Sequence, residues 1–153
     1  MDSIPEGEAR EFLSKAMVAH IGVVSEGDPY VSPMSFVLDG NRILFRTKPG
    51  KRFEAIVAHP TVSIESSHFD NETGDWISVI VRGRAAERTD SETATLAVEM
   101  LFEKYAKVLG SPLGRTGFQA MASFPHVVEV SIDEITGMVS GREFSVRTRP
   151  GRL

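Results

Sequence analysis

The stretch Arg42-Ile-Leu-Phe-Arg-Thr-Lys-Pro-Gly-Lys51 joins a strand pattern to a helix pattern through a basic turn. Its first residues alternate and are rich in β-formers, which predicts a strand, and Pro49-Gly50 then breaks that strand. A short helical pattern follows over residues 52–58. Cationic side chains flank the turn, with the Thr47 hydroxyl among them: Arg46, Lys48, Lys51 and Arg52.

This basic turn is a candidate phosphate site. A helix start supplies backbone N–H groups without partners and the positive end of the helix dipole, and both favour an anion. The alternative is a solvated basic turn at the end of a strand, which the same residue types would also produce. The stretch taken alone favours neither interpretation.

The composition is that of a soluble globular protein. The chain has 153 residues, 41% of them hydrophobic and 25% charged, and we expect one domain over residues 1–153. A net charge of −4 argues against a general nucleic-acid binder. The absence of cysteine excludes disulfides and thiolate chemistry. Since no apolar run would span a membrane and the N-terminus is acidic, we expect a cytoplasmic protein without membrane partners.

The N-terminal third predicts a helix and two strands. Ser3 is placed to cap a helix, with Pro5 at an early helical position. Residues 18–24 are apolar apart from His20, which predicts a strand buried on both faces and a core histidine. Residues 30–38 form the next strand, and Pro33 within it predicts an edge position or a bulge.

A hairpin, two further strands and a long helix follow. Asp39-Gly40 is a hairpin turn signal that leads into the strand of the basic stretch. After the short helix, residues 61–66 predict a strand and residues 69–75 a polar loop. Residues 76–89 give the longest strand pattern, in which Gly83 indicates a bulge or a close backbone approach. A helix is then predicted from Asp90 to Gly110.

The C-terminal part is less regular. Residues 111–124 have no clean period and could form a lid, a dimer contact or a plain loop. Residues 126–132 and 135–140 predict two strands, separated by a turn at Asp133-Glu134. The basic tail from about residue 142 is expected to be loosely ordered. About six or seven strands with three helices predict a mainly β protein, a barrel or a sandwich.

Several kinds of catalytic site are missing from the sequence. The four histidines lack metal-ligand spacing, and no cysteine supports them. Lys48-Pro49-Gly50-Lys51 is not a nucleotide-binding P-loop, and no Gly-x-Ser-x-Gly motif is present. Demanding chemistry would therefore have to come from a cofactor.

Several motifs occur in an order that resembles the pyridoxamine 5′-phosphate oxidase-like FMN-binding split-barrel superfamily, nearest to its nitroimidazole-resistance-type branch. The resemblance covers nearly the whole chain. The motifs are residues 19–24 (AHIGVV), 29–36 (PYVSPMSF), 43–51 (ILFRTKPGK), 59–63 (HPTVS), 74–79 (GDWISV) and 81–85 (VRGRA). The resemblance implies a homodimer of split β-barrels, with FMN at the interface and two sites per dimer.

The resemblance also implies roles for residues of one subunit. Met34 and Ser35 would line the edge of the isoalloxazine ring through their backbone groups. Arg46 and Thr47 would lie beside the ring and the ribityl chain. Close relatives often have histidine where Arg46 stands, so the polarity beside the ring would differ here.

Four further residues complete the implied site. Lys51, with Arg52 beside it, would bind the phosphate, which favours charge-assisted donors. Trp76 and Ser78 would come from the partner subunit. From the residues alone, Trp76 could equally be a large core residue and Ser78 an exposed strand serine.

The resemblance implies a flavin-dependent oxidoreductase that uses a nicotinamide or other donor and a small organic substrate. No acid–base residue can be named, and a flavin can pass a hydride without one. A deazaflavin of the F420 type is an alternative cofactor, and a non-catalytic flavin- or haem-binding carrier or sensor is an alternative function. Residues 149–153 do not reproduce the aromatic C-terminal segment of true pyridoxamine phosphate oxidases, which argues against vitamin B6 oxidation.

Overall fold

A computed structural model of the chain describes residues 1–109 and 123–141. The strands in this part are β1 Asp2–Ile4, β2 Ala19–Ser25, β3 Asp28–Met34, β4 Val37–Asp39, β5 Arg42–Thr47, β6 Thr61–Phe69, β7 Trp76–Arg88 and β8 His126–Val139. The helices are α1 Glu6–Lys15, α2 Lys51–Ala58 and α3 Ser91–Leu109. The predicted helix end at Gly110, residues 111–122 and the tail from residue 142 lie outside the described residues.

All eight strands form one antiparallel sheet in the order β3-β2-β6-β7-β8-β5-β4, with β1 added on β8. This confirms the prediction of a mainly β fold. It also confirms the hairpin at Asp39-Gly40, because Asp39 pairs with Arg42 across the turn. Pro33 lies in β3, which is an edge strand, as expected for a residue without a backbone donor.

Two hydrophobic clusters hold the helices on the sheet. The main cluster packs α1 and α2 against one face of the sheet, with Phe12, Leu13 and Ile56 among its buried residues. The smaller cluster lies beneath α3, where Leu101 and Tyr105 meet β4, β5 and β8. Helix α3 begins after Asp90, whose carboxylate accepts a hydrogen bond from the Thr93 backbone N–H at 3.0 Å.

The predicted helix start at Ser3 is wrong. Ser3 lies in β1 and pairs with Met138, so its backbone belongs to the sheet. The helix begins only after Pro5, which occupies the N-cap position without a side-chain hydrogen bond. Pairing with β8 is a long-range contact that overrides a local capping pattern.

The predicted turn at Asp133-Glu134 is also wrong, because β8 runs through it without interruption. Arg82 of β7 pairs with Glu134, while Gly83 pairs with Ile132, which leaves Asp133 as the extra residue of a β-bulge. The indication of a bulge or close approach at Gly83 is confirmed. A charged pair inside a strand resembles a turn in sequence when a bulge places it on the solvent side.

The expectation that β2 is buried on both faces is wrong, because His20 and Val24 are exposed. His20 is therefore not a core histidine in this chain. Residues 30–38 do not form one strand either. Strand β3 ends at Met34 and β4 begins at Val37, so the chain leaves the ladder at Ser35 and Phe36.

Among the described residues, no helix is both long enough and apolar enough to cross a membrane.

The close approach at Gly83 predicts a strong effect of adding one methyl group. A Cβ at this position would lie 2.3 Å from the Ser131 backbone oxygen and 2.8 Å from Val130 Cγ1. Gly83→Ala should therefore lower the free energy of unfolding by about 1–3 kcal/mol or more, since β7 or β8 must shift. Gly7→Ala is the control, because a Cβ there would meet nothing within 4 Å. Urea denaturation should show no loss for Gly7→Ala, and an equally small effect at Gly83 would contradict the close approach.

Candidate functional site

The basic turn between β5 and α2 offers an open helix start. Gly50 takes φ 147°, a conformation that favours glycine, and occupies the N-cap position of α2 without a side-chain cap. The first helical hydrogen bond runs from the Glu54 N–H to the Gly50 oxygen at 3.0 Å. The N–H groups of residues 51–53 therefore have no acceptor one turn back in the helix. Such a helix start can receive an anion.

Arg52 points inward and braces three elements. Its Nε and Nη2 donate to Thr47 Oγ1 at 3.3 and 3.1 Å. Its Nη1 donates to Ser32 Oγ at 3.2 Å and to the Pro33 oxygen at 2.9 Å. Burial lowers the pKa of this guanidinium. The side chain thus ties α2 to the ends of β5 and β3, and its role at a phosphate stays a prediction.

Arg46 and Thr47 point to opposite sides of β5. Thr47 is 2% exposed and shares the side of Phe45, which belongs to the main cluster. Arg46 lies on the other side, where its Nε donates to the Phe124 oxygen at 2.8 Å and its Nη2 donates to the same oxygen. Burial lowers the pKa of Arg46 as well. Arg46 therefore anchors Phe124.

The two lysines of the turn are its exposed cations. Lys51 Nζ lies 5.2 Å from the centroid of the Tyr30 ring. Lys48 Nζ lies 5.5 Å from the centroid of the Phe124 ring. Both ammonium groups can reorient at little cost, because an exposed cation–π contact is worth only about 0.5–1 kcal/mol. They are the side chains best placed to meet an anion at the start of α2.

Helix α3 holds the break between β3 and β4, which consists of Ser35 and Phe36 and follows Met34. Met34 is buried in the main cluster, and the chain then leaves the ladder. Lys104 Nζ donates to the Phe36 oxygen at 2.9 Å, and the Phe36 N–H donates to the Tyr105 hydroxyl at 3.0 Å. Burial lowers the pKa of Lys104 to about 8 and raises that of Tyr105. No pattern in the sequence singled out Lys104.

His126 joins the site although no sequence pattern singled it out. It pairs with Thr47 across β5 and β8, and its ring stacks on Phe53 with centroids 3.7 Å apart. Its Nδ1 lies 2.8 Å from a carboxylate oxygen of Glu87. Only the pairing of β5 with β8 brings this histidine to the basic turn.

Trp76 and Ser78 lie on the other face of the sheet from Met34 and Thr47. Both alternate with Ile77 and Val79, which are buried in the main cluster. Ser78 Oγ donates to the Glu65 carboxylate at 3.1 Å on this open face. Met34 and Thr47 thus lie on the side of the main cluster, whereas Arg46, Trp76 and Ser78 lie on the other side of the sheet.

The open face carries large apolar side chains that the described residues leave exposed. The exposed fractions are 39% for Val24, 63% for Val31, 56% for Phe69 and 45% for Ile80. The strand register places all of them on the face that also carries Ser78. Four large exposed apolar side chains on one face make it a candidate interaction surface.

The family model described as pyridoxamine 5′-phosphate oxidase matches residues 5–139. The chain therefore belongs to this family, which confirms the resemblance noted in the sequence. A curated relative, an uncharacterised protein of Rhizobium meliloti, is 26% identical over 80 residues. That match spans about half of each protein, 52% of this chain and 52% of the relative.

Solved structures confirm the split-barrel fold. A FAD-binding protein from Mesorhizobium loti has a TM-score of 0.72 at 20% identity, covering 92% of this chain and 98% of its own. A putative 5-nitroimidazole antibiotic resistance protein from Bacteroides thetaiotaomicron has a TM-score of 0.74 at 22% identity, covering 90% and 86%. The FAD-binding protein from Mycobacterium smegmatis has a TM-score of 0.66 at 23% identity, covering 91% and 98%.

The buried ammonium of Lys104 predicts a stability that rises with pH. Its pKa is about 8 in the folded chain, against 10.5 for an ordinary lysine. Between these values the unfolded state binds more protons, so raising the pH favours folding. Urea unfolding of the wild type should show a gain of about 1 kcal/mol from about pH 7 to pH 9.

Lys104→Met should remove this gain, because the titrating group is gone. Lys107→Met is the matched control, since Lys107 lies on the same helix, is exposed and pairs with Glu103 at 3.2 Å. It should keep the wild-type slope. Equal slopes in the wild type and Lys104→Met would show that the ammonium is not desolvated.

Proposed function

We propose that this chain is a flavoprotein that binds FMN at two sites in a homodimer and acts as an oxidoreductase on a small organic substrate. Membership of the pyridoxamine 5′-phosphate oxidase family supports a flavin. So do the solved FAD-binding proteins from Mesorhizobium loti and Mycobacterium smegmatis, although their fold likeness alone does not assign a ligand to this chain.

The phosphate position rests on the start of α2. A dianionic phosphate favours charge-assisted donors and the positive end of a helix. The turn supplies the uncapped N–H groups after Gly50 together with the exposed Lys48 and Lys51. The Arg52 guanidinium donates hydrogen bonds to Thr47 and to the Pro33 oxygen, and so keeps the turn in place.

The observation that carries the dimer is the separation of the two groups of site residues. Met34 and Thr47 share the covered face of the sheet, whereas Trp76 and Ser78 share the open face. Within one chain, a cofactor on the side of Met34 and Thr47 would lie across the sheet from Trp76 and Ser78. A second copy would supply the missing group and would cover Val31 and Ile80.

The division of work between cofactor and protein follows from this placement. Bound FMN would supply hydride or electron transfer. The chain's own residues would bind the phosphate at the basic turn, hold the ring edge at the ladder break beside Ser35, and keep water from the ring with the partner's open face. Absorption spectra and extraction of the co-purified cofactor test this: FMN supports the proposal. F420, or a haem Soret band without flavin, would replace it with the deazaflavin reductase or the haem carrier.

Replacing Lys51 separates phosphate binding from ring binding. Lys51→Ala removes one charge-assisted contact worth roughly 1.5–3 kcal/mol, so FMN affinity should fall about tenfold or somewhat more. Riboflavin has no phosphate and should bind both proteins almost equally. The stability of the ligand-free chain should change little, because Lys51 is exposed. Paired fluorescence titrations with FMN and riboflavin measure the difference.

Arg52→Ala provides the contrast for this titration. It removes four hydrogen bonds to Thr47, Ser32 and Pro33. It should lower the free energy of unfolding by about 2–4 kcal/mol and weaken both ligands together. If Lys51→Ala behaves in the same way, or leaves FMN affinity unchanged, Lys51 does not bind the phosphate.

Mixing two defective variants tests whether each site is shared between subunits. In a dimer of one Lys51→Ala chain and one Trp76→Ala chain, one site combines both substitutions and the other has neither. After subunit exchange, about one quarter of all sites should therefore regain wild-type FMN affinity. Each variant refolded alone is the control. No recovery in the mixture would mean that each chain builds its own site, and a monomer in light scattering of the holoprotein would exclude the dimer.

A further inference from the structure

The main chain of Phe36 is held by side chains instead of by a neighbouring strand. Ser35 and Phe36 form the break between β3 and β4, and Phe36 is fully buried. Its N–H donates to the Tyr105 hydroxyl at 3.0 Å, and its oxygen accepts from Lys104 Nζ at 2.9 Å. Two successive residues of α3 thus engage both polar backbone groups of one residue in the break.

Tyr105 attaches the helix at this point through its own packing and hydroxyl group. It is 6% exposed and lies in the smaller cluster. Its hydroxyl also donates to the Met17 oxygen at 2.7 Å, which links the break to the segment between α1 and β2. Tyr105 thus connects α3 to two segments of the main chain independently of Lys104.

Lys104 adds a partly buried charge to this contact. Its ammonium lies 4.0 Å from the centroid of the Phe36 ring and 5.5 Å from that of Tyr105. Burial lowers its pKa to about 8, the mark of a desolvated cation. Among the described residues, no carboxylate forms a salt bridge with Lys104. An apolar side chain would fill the same place without this cost.

We propose that Lys104 and Tyr105 are positioning residues that fix the ladder break at Ser35 and Phe36, so that Met34 and Ser35 present their backbone groups to the ring of the flavin. This inference rests on the proposed function, which places the ring edge at Met34 and Ser35. A buried carbonyl held by a cationic donor has less freedom than one held by a neutral donor, because charge-assisted hydrogen bonds are shorter and stronger. This pair of contacts, the clamp formed by Lys104 and Tyr105, would therefore set the geometry of the ring site and not that of the phosphate site.

The test compares riboflavin and FMN binding by Lys104→Met, Tyr105→Phe and the double variant. Lys104→Met should weaken both ligands by the same factor, about tenfold, because the loss concerns the ring that they share. The visible absorption of the bound flavin should also move towards that of free flavin. This pattern differs from that of Lys51→Ala, which should weaken FMN alone.

The double variant tests whether both residues act through the same backbone. If they do, its loss of ring affinity should be clearly smaller than the product of the two single losses. Lys107→Met is the matched control on the exposed side of α3 and should leave affinity and spectrum unchanged. Lys104→Gln keeps a neutral donor and should fall between the wild type and Lys104→Met. Affinities are measured well below each variant's unfolding midpoint, so that a loss of stability does not count as a loss of binding.

The outcomes separate the clamp from the proposed function. Wild-type chain that binds neither FMN nor riboflavin would overturn the proposed function and the clamp with it. Wild-type binding with unchanged riboflavin affinity and spectrum in Lys104→Met would overturn the clamp alone. A loss for FMN without a loss for riboflavin would also overturn it, because Lys104 would then act on the phosphate.

Discussion

The pairing of β8 with three other strands is the constraint on which the rest of the chain depends. Strand β8 pairs with β1, β7 and β5. It therefore joins β7 to β5, the strand that leads into the basic turn. The bulge at Asp133 and the bare backbone of Gly83 allow β7 and β8 to bend past each other. The register of β8 with β5 then places His126 beside Thr47, where it forms one wall of the basic turn.

The positive charges around the turn divide into two kinds. Arg46 and Arg52 are partly buried, and their donors are engaged by backbone and hydroxyl oxygens. Lys48 and Lys51 are exposed and rest on aromatic rings. The planar guanidinium suits several fixed acceptors at once, whereas the ammonium is a mobile point charge. The sequence pattern grouped these four cations. The packing then separates the two arginines, which hold the structure, from the two lysines, which are available to a ligand.

The sequence predicted those features that depend on neighbouring residues. The hairpin at Asp39-Gly40, the edge position of Pro33 and the close approach at Gly83 all follow from local turn and strand chemistry. The errors at Ser3 and Asp133 came from backbone pairing with distant strands, which local patterns do not contain. Lys104 and Phe36 are 68 residues apart, so no periodicity could connect them. The same limit applies to His126, which reaches the site through strand register alone.

The two edges of the sheet restrict how chains of this protein can associate. One edge is β3, where Pro29 and Pro33 lack backbone donors, and the other is formed by β4 and β1, which have three residues each. Neither edge is a good template for adding a strand from another molecule. The described edge strands therefore disfavour sideways growth of the sheet, and in the proposed dimer the second copy would contact the open face. In a two-fold contact made through that face, every substitution acts twice, once in each copy. Selection on a single exposed residue such as Val31 would thus act on two positions of the same interface.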